Sequence, residues 1–221
     1  MPLHNTWRTG LNNLIYFIWW NKDNGMLDFN LRLLEQYIGM FDGKRIIKIA
    51  DVKPYQIPDF LKEAEIVHND PINGESQHFK DSLSQIDQGY TFYAHAKGVS
   101  RVVNKPLRWW VTQSYHGNLK TRPDLDGYLT SGCFGKLRAG SSRVPVPWHY
   151  SGSFFWFRKE VVDRYLSKRV PEMIDTRWFT ECFCGWLVDK EDAQFRLHSS
   201  DEHKYNCYSE DFWSKYSHLI P

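Results

Sequence analysis

Over the first hundred residues, short apolar runs suited to strands alternate with segments whose apolar residues keep helical spacing, and this rhythm constrains the fold most. Residues 14–20 form an apolar run rich in aromatic and β-branched side chains, which reads as a buried strand ending in the turn Asn21-Lys22-Asp23-Asn24-Gly25. Leu27, Leu31, Leu34, Ile38 and Phe41 then recur at helical spacing, and Asp42-Gly43 closes that segment as a helix stop. Residues 45–50 and 65–69 read as the second and third strands. Residues 75–86 read as a helix with Phe79, Leu83 and Ile86 on one face, and residues 90–95 as a fourth strand. Such alternation predicts an α/β, Rossmann-like fold, a mostly parallel central sheet flanked by helices that binds ligands at the carboxyl ends of its strands.

The second half is less regular. A Trp-rich helix is expected over 106–118, a strand over 128–133, a Gly, Ser and Pro loop over 135–147, and a strand over 153–157. Helices are expected over 159–166 and 178–188, with a last strand over 193–198. A chain of 221 residues suits one domain. The expectation is a single domain over 1–221, with a nucleotide-binding half over about 1–100 and an acceptor and catalytic half over about 101–221.

Composition narrows the function classes. A formal net charge of +2, with no run of five Lys or Arg, argues against a nucleic-acid partner. The apolar run over 14–20 is far short of the roughly 20 residues that cross a bilayer, and its flank lacks a signal-peptide pattern. The expectation is therefore a cytoplasmic protein with no transmembrane segment. Cys133, Cys182, Cys184 and Cys207 lack zinc-ligand spacing and are expected to be buried thiols. Aromatic residues make up 16% of the chain, including 10 Trp; core packing explains most of them, although Trp and Tyr also suit stacking on sugars and bases.

Three segments could carry chemistry. Tyr93-Ala94-His95-Ala96-Lys97-Gly98-Val99-Ser100-Arg101 directly follows the fourth strand and brings several donors and a flexible backbone to the sheet edge, where a diphosphate would sit. The plain alternative is a solvated basic turn. His149-Tyr150-Ser151-Gly152-Ser153-Phe154-Phe155-Trp156 is a small-residue turn entering an aromatic strand, with neutral groups suited to sugar hydroxyls and a Gly that would let a ligand approach the backbone. It could equally be a loop entering a core strand. In Arg177-Trp178-Phe179-Thr180-Glu181, an acidic residue stands among aromatic neighbours on a helix, where a carboxylate can serve as general base or be a buried partner of an Arg.

These segments, in this order, resemble a group of bacterial and viral glycosyltransferases related to rhamnan-synthesis-type proteins. Those carry a strand ending in Tyr-x-His-x-Lys-Gly, matched by residues Tyr93 to Gly98. They also carry His-aromatic-Ser-Gly-Asn-Phe-Trp-Trp, matched from His149 to Trp156 with Ser153 and Phe155 as departures, and an acidic residue in an aromatic helix, matched by Glu181. Asn73-Gly74-Glu75 loosely matches an Asn-x-Gly-acidic loop after the third strand. The resemblance spans about residues 14–190. It implies a GT-A fold, a nucleoside-diphosphate-sugar donor with UDP as first choice, and transfer to a carbohydrate hydroxyl.

On this reading Glu181 is the base of an inverting transfer, with His149 as a further catalytic candidate. Lys97, assisted by Arg101, meets charge growing on the leaving group. The donor site comprises Trp20, Asn21, Lys22, Asp51, Asn73, Gly74, Glu75, His95, Lys97, Gly98 and Arg101; the acceptor site comprises Tyr150, Ser151, Gly152, Trp109 and Trp148, with Trp110 a further stacking candidate. GT-A enzymes usually place an Asp-x-Asp motif for a divalent cation where this chain has His95-Ala96-Lys97. A Mn²⁺ or Mg²⁺ requirement is thus left open, with Asp70, Glu75, Asp201, Glu202 and His203 as donors from elsewhere. The rival classes are a carbohydrate- or nucleotide-binding module without catalysis, and a phosphoryl-transfer enzyme, which would want clustered carboxylates that the sequence does not display.

Overall fold

The first strand decides the layering, because its side chains are buried on both faces. Strand β1 (Asn12–Ile18) sends Leu14, Tyr16 and Ile18 into one core and Ile15 into another. Leu27, Leu31 and Leu34 of helix α1 (Met26–Glu35) and Trp110, Val111 and Tyr115 of helix α3 (Lys105–Leu119) close the first core. Phe79 and Leu83 of α2 (Gly74–Leu83), Val161 and Val162 of α4 (Lys159–Ser167) and Phe179 and Phe183 of α5 (Phe179–Leu187) close the second. Each such side chain contributes about 1.5–3 kcal/mol on full burial, so a strand buried on both faces anchors the whole layer stack. The computed structural model describes residues 11–19, 25–50, 58–63, 65–67, 74–99, 101–120, 125, 127–136, 148–167, 179–200 and 214.

Among these residues, β1 is joined in parallel by β2 (Arg45–Ala50) on one side and β4 (Tyr90–His95) on the other, and β3 (Glu65–Val67) extends the sheet beyond β2. Beyond β4 the direction changes. Strand β7 (Phe155–Arg158) runs antiparallel to both β4 and β5 (Thr130–Lys136), β6 (His149–Tyr150) runs antiparallel to β5, and β8 (Ala193–Ser200) pairs with β5 in parallel. The order is β3-β2-β1-β4-β7-β5-β6, with β8 branching from β5. The protein is therefore a mixed α/β structure with a mostly parallel sheet, helices on both faces, and one sheet running through both halves of the chain. No helix among the described residues is long and apolar enough to cross a membrane.

The order of the first four strands creates a crevice. From β1 the chain passes through α1 to β2 on one side, and from β3 it returns through α2 to β4 on the other. The two helices lie on opposite faces of the sheet. Connections leaving in opposite directions open the sheet edge outside the carboxyl ends of β1 and β4, which is where open α/β sheets take their ligands.

Candidate active site at the carboxyl ends of β1 and β4

Phe17 and His95 are register partners at the ends of β1 and β4, and the Ala96 amide donates to the Phe17 carbonyl at 2.9 Å. The Tyr93 to Gly98 segment thus leaves the sheet beside the end of β1. Tyr93 and His95 both point to the face covered by α2, since alternate residues of a strand share a face. Glu75, in the first turn of α2, meets both: the Tyr93 hydroxyl donates to its Oε1 at 2.7 Å, and His95 Nδ1 lies 2.7 Å from the same oxygen.

Burial by itself would raise the Glu75 carboxyl, but the charge and hydrogen bond of His95, the Tyr93 hydroxyl and the Lys97 charge outweigh it, and the pKa lies below its usual value. Burial first, and then the Glu75 charge, push the Tyr93 phenol well above its usual range, so it remains a donor. An ionised carboxylate only accepts, which requires the proton between them to sit on His95 Nδ1. The tautomer of the neutral ring is therefore set, with Nε2 left as its acceptor.

Helix α5 closes the same cluster. The Thr180 hydroxyl hydrogen-bonds Tyr93 and lies 3.5 Å from Ser76 Oγ. Glu181 follows Thr180 in the chain and is half-buried in the first turn of α5. The fold thus brings Glu75, His95 and the N-terminal turn of α5 to one place, although they are far apart in sequence.

On the other side of β4, Lys97 is half-buried with its ammonium 5.5 Å from the centre of the Trp110 ring. Gly98 follows at φ 86°, in the left-handed region that glycine tolerates best. Arg101 is exposed, and its amide donates to the Gly98 carbonyl at 2.9 Å, closing the turn. Asn30 of α1 is fully buried beneath this turn and bonds both backbone groups of Lys97.

Several residues expected at an acceptor site belong to the core. Trp148 is 1% exposed, its indole nitrogen donates to the Val188 carbonyl, and its ring is flanked edge-on by Tyr150 and Phe195, so it has no face free for a sugar. Tyr150 is equally buried, and its hydroxyl donates to the Gln194 carbonyl beside Thr130. At Gly152, φ is 85° and an added Cβ would lie 1.9 Å from Trp110. The close approach that needs this glycine is thus an indole, not a ligand. Trp110 itself is wholly buried. Trp109 is half-buried beside Phe134, and His149 is buried on β6, whose backbone pairs with Lys136. Ser151 is buried, and its Oγ has no hydrogen-bond partner among the described residues.

Trp20, Asn21, Lys22, Asp51, Asn73, Asp70, Ser100, Arg177, Asp201, Glu202, His203 and Cys207 lie outside the described residues. Cys133, Cys182 and Cys184 are buried free thiols, and burial pushes Cys133 and Cys182 up to about 12. Among the described residues no group of three or more His, Cys, Asp or Glu could hold a metal ion. Glu75 commits Oε1 to Tyr93 and His95, with the Lys97 charge nearby.

Sequence reasoning missed Asn30 and Tyr115, and it gave Tyr93 and Thr180 no role of their own although both stand in the segments that could carry chemistry. One signal was available for Asn30: it shares the stripe of Leu27, Leu31 and Leu34, where a polar residue facing the core must have partners.

No family model and no curated protein matches the chain. Among solved structures, it is similar to a protein described as a glucose-1-phosphate thymidylyltransferase from Bacillus anthracis, in complex with a sucrose. The identity is 8%, over 93% of this chain and 94% of that one, with a TM-score of 0.46. It is also similar to a CMP:2-keto-3-deoxy-manno-octonic acid synthetase complexed with CTP, at 9% identity over 95% of this chain and 98% of that one, with a TM-score of 0.40.

Proposed function

We propose that the chain is a cytoplasmic glycosyltransferase of GT-A type that moves a sugar from a nucleoside-diphosphate sugar to a carbohydrate hydroxyl with inversion. The observation that supports it most is the clustering of His95, Lys97 and the Gly98 turn at the β1 and β4 carboxyl ends, the edge at which the sheet opens. The motif resemblance over residues 14–190 points the same way. UDP is the first donor nucleotide to test, with Trp20, Asn21, Lys22 and Asp51 assigned to base and ribose.

In the proposed reaction the acceptor hydroxyl loses its proton to the Glu181 carboxylate as its oxygen bonds to the anomeric carbon. The bond from that carbon to the β-phosphate oxygen breaks in line, and the nucleoside diphosphate leaves with the electron pair. The Lys97 ammonium meets the charge that develops on it, a form of stabilisation that acts on the transition state more than on the ground state. His95, held by Glu75 through Nδ1, presents Nε2 as an acceptor suited to a hydroxyl of the donor sugar. The test is a panel of UDP-, GDP- and dTDP-sugars, scored for hydrolysis and transfer with and without EDTA. Turnover that persists in EDTA is expected; binding without any turnover would make the chain a recognition module, and binding of none of the panel would end the donor-site reading.

A further inference from the structure

Asn30 is 0% exposed, and its side chain satisfies both backbone groups of one residue. Its Nδ2 donates to the Lys97 carbonyl at 2.9 Å and to the Met26 carbonyl at 2.6 Å, while its Oδ1 accepts from the Lys97 amide at 3.1 Å. Two opposed bonds to the N–H and C=O of a single residue are what a neighbouring strand supplies in a sheet. Here a side chain supplies them where the strand has ended, so both backbone groups of Lys97 are bonded as in a paired strand residue although it lies in a turn.

The clamp is itself braced. The Tyr115 hydroxyl donates to Asn30 Oδ1 at 3.2 Å and lies 2.7 Å from the Tyr16 hydroxyl. Helix α1, helix α3 and strand β1 therefore converge on one backbone unit. Gly98 limits movement on the far side, since even a Cβ there would come within 3.1 Å of Leu107 and Met26 side chains.

We propose that Asn30 is the positioning residue for the Lys97 ammonium, acting through its paired hydrogen bonds to the Lys97 backbone and oriented by Tyr115. The ligand side of this inference rests on the donor-site reading of Lys97. Asn30 touches no reacting atom in that reading. It holds the Cα from which the lysine side chain departs, through bonds to both Lys97 backbone groups. An Asp in its place would set a carboxylate against the Met26 and Lys97 carbonyls, and an Ala would leave the Lys97 amide and carbonyl without these partners.

The test is a double-mutant cycle of Asn30→Ala and Lys97→Ala, read as UDP affinity in EDTA by calorimetry, together with amide hydrogen exchange of Lys97 relative to Phe92 in the sheet. Asn30→Ala should weaken UDP binding about tenfold with Lys97 present and leave it nearly unchanged on the Lys97→Ala background, a coupling within the range of groups in direct contact. The Lys97 amide should exchange faster while Phe92 keeps its protection. Tyr115→Phe, which spares both Asn30 bonds to Lys97, should show the same pattern more weakly and keeps the test open if Asn30→Ala does not fold. Equal losses of affinity on both backgrounds, or unchanged Lys97 exchange, overturn the proposal. If the wild-type chain binds no UDP, the donor-site reading fails but the clamp is still decided by exchange: protection of Lys97 that depends on Asn30 sustains it, and protection that does not overturns it.

Discussion

Glu75 and His95 share a 2.7 Å hydrogen bond at the edge of the sheet, between the first turn of α2 and the last residue of β4. Both were expected to face a donor molecule directly. Oε1 of the Glu75 carboxylate accepts from the Tyr93 hydroxyl and from His95 Nδ1, and the imidazole keeps Nε2 as its acceptor. The consequence is a division of labour: Glu75 holds, His95 presents.

Replacing Glu75 by Gln keeps an acceptor oxygen and removes the charge. Because the folded-state pKa of Glu75 lies below its usual value of 4.5, its ionisation stabilises the fold above that value, and the contribution is lost as pH falls through the folded pKa. The groups facing it are His95, Tyr93 and Lys97. Urea unfolding across the acid limb should therefore show Glu75→Gln less stable than wild type near neutrality, with the gap shrinking on acidification. A gap that is constant across that limb would mean the Glu75 charge contributes nothing.

A nucleoside diphosphate should protect the fold thermally. At about 100 times its dissociation constant the stabilisation should reach roughly 2.7 kcal/mol, read as a rise in melting temperature. The comparison of UDP, GDP and dTDP at millimolar levels identifies the base, and no shift with any of them counts heavily against a donor site between β1 and β4.

Lys97→Ala should lower turnover by on the order of 10² to 10³ while leaving the melting temperature nearly unchanged, as for loss of a group aimed at transition-state charge. The Lys97 side chain is half-buried above Trp110, so some packing is lost, but the backbone bonds to Asn30 remain. Added Mn²⁺ should not restore the rate; full rescue would assign the charge-neutralising role to a metal.

Gly152→Ala should be among the most destabilising single-methyl changes in the chain. The new Cβ would sit 1.9 Å from Trp110 at a residue whose φ is 85°, and Trp110 is wholly buried and cannot swing away. Overpacking of this kind typically costs about 1–3 kcal/mol, and the left-handed backbone adds about 1 more. A variant as stable as wild type by denaturant titration would show that the 151–154 turn can open, and with it the approach to the backbone expected from the sequence.

The parts of the fold legible in the sequence are those that repeat a pattern over many residues. Leu27, Leu31 and Leu34 mark α1, and the run from Leu14 to Ile18 marks β1, because burial on one face or on both imposes a period. Strand direction leaves no such trace: Phe155, Trp156 and Phe157 read as a buried strand whichever way it runs, and β7 proves antiparallel to β4. Strand β6 is two residues long and has no period to read. The candidate site was legible at His95, Lys97 and Gly98, where polar and flexible residues follow an apolar strand. It was not legible at Asn30 or Thr180, which reach the cluster only through tertiary packing, nor at Trp148 and Tyr150, whose polar tips are satisfied by the Val188 and Gln194 carbonyls. An amphipathic side chain in a core and one in a sugar site look alike until its partners are known.

Glu181→Gln is the change on which the enzyme reading depends most. Glu181 is half-buried in the first turn of α5, next in the chain to Thr180, whose hydroxyl bonds Tyr93 of the strand-end cluster. Gln keeps the size and hydrogen-bonding capacity of the side chain but cannot take a proton at neutral pH, so the single-turnover rate should fall by roughly the 10² to 10⁴ expected of a general base. Donor affinity and melting temperature should not follow, because the proposed proton transfer involves the acceptor alone. If Glu181 instead serves the fold as an ion-pair partner, the same substitution should cost stability and reduce affinity and turnover together, as when one member of a buried pair is lost. Melting temperature, donor affinity and single-turnover rate measured on this one variant separate the two roles, and a stable variant with undiminished transfer removes Glu181 from the chemistry and makes His149 the next base to replace.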